Sequence, residues 1–192
     1  MNAHIPTAEA TIGPFFPGTC VDIGANDLTK LRGRNAKGLA IEITGRVVQE
    51  DGTPLPNVVL EIWQADANGI FKHPADPQSR DADPNFLGWG RAATDPDGCY
   101  FFRTIKPGGY RMPDGTKRAP HINMLIMASG LMRQLHTVVF FDGEAANDTD
   151  IVLGAVEPAA LRRGLICRSD APGKYRFDIR LRGEGETPFF DD

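Results

Sequence analysis

Turn-forming residues are spread along the whole of this chain instead of gathering into linkers, and that spacing leaves room only for short elements. The 192 residues include 21 Gly and 15 Pro, and the apolar stretches between them are brief. Where a stretch is long enough to show a period, the period is two. Leu39, Ile41 and Ile43 alternate with Ala40, Glu42 and Thr44, and Val47-Val48 completes the run. Tyr175, Phe177, Ile179 and Leu181 alternate with Arg176, Asp178, Arg180 and Arg182. Such alternation turns one face of an extended strand toward a core and the other toward water. Residues 58–64, 99–104, 122–127 and 134–141 are rich in β-branched and aromatic side chains and are bounded by turn residues, so they also read as strands. One short helix is predicted over 158–163, with Pro158 at its start and Arg162 and Arg163 at its end. A single helical turn is predicted over 26–31, capped by Asn26. About seven short strands with one helix predict an all-β fold, a mainly antiparallel β-sandwich. The expected division is an N-terminal arm over 1–37, contacting a partner subunit, and a β-sandwich domain over 38–192.

Composition removes several classes of function. A net charge of -4 with no basic tail argues against nucleic-acid binding. The densest basic spots, Arg162-Arg163 and Arg176, Arg180 and Arg182, read as solvated surface or subunit contacts. No stretch approaches the roughly 18 apolar residues of a membrane helix, and Met1-Asn2-Ala3-His4-Ile5-Pro6 lacks the features of a secretory signal. Three cysteines, Cys20, Cys99 and Cys167, have no paired spacing. That pattern suits neither a disulfide scaffold nor a thiolate metal site and fits the reducing cytoplasm.

Two ends of the chain carry adjacent aromatics. Thr11-Ile12-Gly13-Pro14-Phe15-Phe16-Pro17-Gly18 can form neither helix nor central strand. Phe15-Phe16 there, and Phe189-Phe190 at the other end, need a surface to cover, either on this sandwich or on a partner, and together they lean toward a partner. The connection over 65–85 is long and polar, the kind that is usually functional or covers something.

The stretch 94–123 comes nearest to chemistry. After the Lys106-Pro107-Gly108-Gly109 break comes Tyr110, and Pro120-His121-Ile122-Asn123 begins a strand in which His121 and Asn123 share a face. A tyrosine and a histidine could contribute to a site for a hard metal ion, but two ligands are too few.

Several runs resemble the intradiol ring-cleavage dioxygenases: Leu60-Glu61-Ile62-Trp63-Gln64-Ala65-Asp66-Ala67-Asn68-Gly69, Asp83-Pro84-Asn85-Phe86, Phe102-Arg103-Thr104-Ile105-Lys106-Pro107-Gly108 and Ala119-Pro120-His121-Ile122. The arm and the ending, with Gly183-Glu184-Gly185-Glu186-Thr187, resemble more narrowly the alpha chains of protocatechuate 3,4-dioxygenases. In catalytic chains of that family, two tyrosinates and two histidines hold a non-haem ferric ion, hard anionic oxygen suiting Fe(III). Carried over, the resemblance puts Phe71 and Tyr110 at the tyrosine positions and His121 and Asn123 at the histidine positions. Two of four donors survive, which implies that this chain binds no metal alone and has no catalytic residues. Tyr110 and His121 would be hydrogen-bonded remnants of a closed site. The Fe(III) would sit in a homologous catalytic beta subunit within a larger alpha-beta oligomer, which opens an aromatic catechol acid between its hydroxyls with O2 to a cis,cis-muconate.

The same resemblance implies that Thr11, Gly13 and Pro14 line the partner's pocket. It also places Ser129 where many such chains carry a carboxylate-binding arginine. A neutral serine there admits a 4-sulfocatechol-acting relative, and Arg133 could compensate. Two alternatives remain: an iron enzyme recruiting Tyr175, His73 or His136, and a metal-free β-sandwich binding module.

Overall fold

A computed structural model describes residues 25–190. Strand β3 (Ala40–Val48) is the axis of one layer. Ile41, Ile43 and Val47 point into the core, as their alternation requires. It pairs antiparallel with β6 (Cys99–Ile105) on one side. On the other side β12 (Lys174–Arg176) and β13 (Ile179–Arg180) run parallel to it in succession. They are interrupted at Phe177, whose carbonyl sits where a side chain at position 45 would begin, so Gly45 is needed there. The same carbonyl accepts the Tyr100 hydroxyl at 2.6 Å.

The second layer is β5 (Trp89–Ala93), β4 (Val59–Trp63), β9 (His121–Met127) and β10 (Leu135–Phe141), all antiparallel neighbours in that order. Strand β11 (Ile166–Ala171) joins the layers: Ile166 and Cys167 pair parallel with β10, and the following residues pair antiparallel with β12. The sandwich is thus mainly antiparallel, as the alternation predicted, with three parallel seams. Between the layers lie Ile43, Leu60, Ile62, Phe102, Ile122, Met124, Ile126 and Phe141, all buried. Each such side chain contributes about 1.5–3 kcal/mol of burial.

The expectations for 25–37 and for the helices need correction. Residues 26–31 form no helical turn. The Asp27 carboxylate accepts the Thr29 N–H and hydroxyl, a local turn that competes with helix. The Asn26 amide donates to the Phe101 carbonyl instead of capping. A small hairpin follows, β1 (Lys30–Leu31) with β2 (Arg34–Asn35), turned by Arg32 and Gly33 at positive φ. This described part of the predicted arm docks on its own sandwich. The Ala25 carbonyl accepts from Arg91 N–H in β5, Leu28 N–H donates to Arg103 in β6, and Leu28 is buried in the core. The helix predicted over 158–163 is a 3-10 segment, Ala159–Leu165. The only α-helix among the described residues is α1 (Ile151–Ala155), which five residues are too few to announce by periodicity.

At the C-terminal end, Phe189 packs against the interlayer core and Phe190 against a smaller cluster under α1. That pair therefore covers its own sandwich, and its lean toward a partner falls away. Phe15 and Phe16 lie outside the described residues.

Candidate functional site

Trp63 at the outward-facing end of β4, and the loops that stand over the β4–β9 face, build one cleft. Trp63 ends β4, and His121 and Asn123 open β9 on the same face, as the period of two requires. The short hairpin β7 (Tyr110–Arg111) and β8 (Lys117–Arg118) stands beside them. Its position is fixed by close backbone approach. A side chain at Gly69 would collide with the Gly109 carbonyl, and one at Gly108 with the Ala67 carbonyl and Gly69 nitrogen. Gly69 also has φ +80°, where glycine is strongly favoured.

The long 65–85 connection is ordered by carboxylates. Buried Asp66 accepts N–H bonds from Asn68, Ile70 and Asp83, and Asp83 accepts one from Lys37 at 2.6 Å. Asp76 accepts from Phe71 and Gln78. These bonds set Phe71 edge-on to Tyr110 with ring centres 5.3 Å apart. A row of rings results, Trp63 to Phe71 at 5.1 Å, Phe71 to Tyr110, and Tyr110 to His121 at 5.6 Å.

One ion pair holds the row from behind. Asp150, fully buried, accepts from Arg118 Nε at 2.9 Å and from Ala119 N–H at 2.8 Å, and caps α1 through Val152 and Leu153 N–H. Burial alone would raise its pKa, but these donors together hold it below the ordinary carboxylate value. The Arg118 guanidinium also lies 5.9 Å from the centre of the Tyr110 ring.

The structure brings Phe71, Tyr110, His121 and Asn123 into one neighbourhood, and their chemistry does not fit a four-ligand ferric site. Phe71 offers no donor atom. Asn123 turns its amide to the Trp63 carbonyl at 3.4 Å. His121 has its Nδ1 2.7 Å from the Ala119 carbonyl, which can only accept, so Nδ1–H donates there. Burial, aided by the nearby Arg118, lowers its pKa to about 4. Burial likewise raises the Tyr110 phenol above its ordinary value, which favours the protonated form. Among the described residues, no group of three His, Cys, Asp or Glu side chains is placed to hold a metal.

The alternative donors do not gather around Tyr110. Tyr175 packs on Phe141 in the interlayer core and His136 on Phe190. His73 borders the cleft, with its Nδ1 accepting from Ala75 N–H. The site is also not closed. The cleft has a volume of about 1200 Å³, and among the described residues the Tyr110 hydroxyl has no hydrogen-bond partner. His121 alone is the hydrogen-bonded remnant expected of the pair.

The expected pocket-lining residues lie elsewhere. Thr11, Gly13 and Pro14 are outside the described residues. Ser129 is exposed in the turn after β9, at the strand end opposite His121. Trp63 and Asp150 were not singled out from sequence. Trp63 reads as an ordinary strand aromatic, and the cap residue Asp150 precedes a helix too short to signal itself.

The comparisons with known proteins agree with this architecture. A family model described as Dioxygenase matches residues 12–183. The chain is 36% identical over 197 residues to the protocatechuate 3,4-dioxygenase alpha chain of Pseudomonas putida, covering 96% of each. It is 38% identical over 175 residues to the beta chain of that enzyme from Burkholderia cepacia, covering 85% of this chain and 74% of that one. Among solved structures, the dioxygenase domain of a dioxygenase–carbohydrate-binding protein fusion from Streptomyces sp. SirexAA-E superposes with a TM-score of 0.61. It is 28% identical, and the match covers 93% of this chain and 99% of that one. Sandwich, ring row and near-full-length similarity place the chain in one group: it belongs to the intradiol ring-cleavage dioxygenase family.

Proposed function

We propose that this chain is the non-catalytic alpha-type subunit of a heteromeric protocatechuate 3,4-dioxygenase. The reading is carried by one conjunction. The chain matches an alpha chain over 96% of its length, yet Phe71 and Asn123 leave its own donor set without a phenol and an imidazole. The Fe(III) and the oxygen chemistry then belong to a homologous beta subunit in an alpha-beta oligomer in the cytoplasm. No helix among the described residues is long and apolar enough to cross a membrane. The substrate is an aromatic catechol acid, opened with O2 between its hydroxyls to a cis,cis-muconate. This chain supplies shape and water exclusion, with Thr11, Gly13 and Pro14 as pocket wall and Ser129 as a neutral hydrogen-bond donor.

Exposed Ser129 also supports a second reading, a 4-sulfocatechol dioxygenase subunit, because an uncharged turn leaves the anion class open. Co-expression with a beta chain tests both. The pair is expected to elute together, carry iron and show a ferric-tyrosinate absorption band that this chain lacks alone. A panel of carboxylated and sulfonated catechols then assigns the substrate. A coloured, iron-bearing preparation of the single chain that opens catechols would overturn the proposal.

A further inference from the structure

The open cleft beside Tyr110 has walls of two kinds. One is the aromatic row, with Trp63 exposed and Phe71 and Tyr110 half-buried. The other is the β7–β8 hairpin, whose Arg111 and Lys117 are exposed and have no carboxylate partner among the described residues. The acids that border the cleft are already engaged. The Asp76 oxygens accept backbone N–H groups, and Glu144 is paired with Lys106 at 2.5 Å. An anion with a flat apolar body matches both walls: the ring lies along the aromatic row, and the charge faces the unpaired cations. The unpartnered Tyr110 hydroxyl adds one polar point that a hydroxyl on the ligand ring can meet.

We propose that this cleft is a metal-free binding site, in this chain itself, for a one-ring aromatic acid. The ligand is held without being transformed, since no oxidant or activating group borders it. A ligand of about ten heavy atoms in an open cleft of this kind is expected to bind with a Kd below about 1 mM.

Isothermal titration of the purified full-length chain with 4-hydroxybenzoate, benzenesulfonate, phenol and cyclohexanecarboxylate tests the proposal. Saturable binding of the first is expected, at least about fivefold tighter than phenol or the non-aromatic acid; benzenesulfonate shows whether the cations distinguish carboxylate from sulfonate. Arg111→Ala/Lys117→Ala is expected to weaken the aromatic acids at least about fivefold and leave phenol unchanged. Ala146→Trp, which fills the cleft from its rim, is expected to abolish binding. Both hairpin positions are exposed, so that variant should fold. No saturable binding to the wild-type chain, or binding that neither variant alters, would overturn the site. The measurement needs no partner and no iron, so its failure leaves the subunit assignment standing.

Discussion

His121 sits behind the Tyr110 ring with its Nδ1 against the Ala119 carbonyl and a pKa lowered by burial to about 4 from an ordinary 6.5. Between those two values the unfolded chain binds a proton that the folded chain refuses, so stability is lost as pH falls. By pH 5 the linkage amounts to about 2 kcal/mol relative to pH 7.5. Urea unfolding of wild type and His121→Gln at both pH values isolates it: the acid-side loss should be smaller by about that amount in the variant. Equal losses would show that His121 does not titrate as described. The donor losses at 71 and 123 are legible in sequence because each is one side chain read against a known pattern. The contacts that occupy what remains are not, because Trp63 reaches Asn123 only through strand register and the Ala119 carbonyl meets His121 only through the local backbone geometry.

At the scale of elements, the cleft depends on a carboxylate far from it in sequence. Asp150 ties the β8–β9 connection to the start of α1 through Arg118, Ala119, Val152 and Leu153. Asp150→Ala would strand a largely buried guanidinium and three backbone donors, a loss of about 3–5 kcal/mol. Chemical denaturation should show it, and a loss under 1 kcal/mol would mean the pair is not buried as described. Two strands of the sandwich layers escaped the sequence for a related reason. In β5 the inward positions are Gly90 and Ala92, too small to look like a core face. A side chain at Gly90 would meet Leu28 and the Ala25 carbonyl, so the space is filled from a distant segment. In β11, Arg168, Ser169 and Asp170 are all exposed, and Cys167 is its one buried side chain. Alternation reveals a strand only when the strand carries its own share of the core.

For the whole molecule, that weakly marked strand is the joint between the layers. Strand β11 leaves β10 after Cys167 and turns to β12, so one short segment carries backbone pairing from one sheet to the other. Cys167 lies at the crossing with no exposure, and burial pushes its thiol pKa up to about 12. Reaching it requires parting β10 from β11 and exposing Phe141 and Tyr175, which meet edge to face with ring centres 5.0 Å apart. These belong to the continuous interlayer core, so the seam should not open alone. In a Cys20→Ser/Cys99→Ser variant, labelling of Cys167 by an excess of thiol reagent should therefore proceed at the global unfolding rate. Its denaturant dependence should match that of unfolding followed by tryptophan fluorescence. Labelling many times faster in native buffer would show that the layers part locally at this joint, and that the sandwich is two cooperative units held by a hinge.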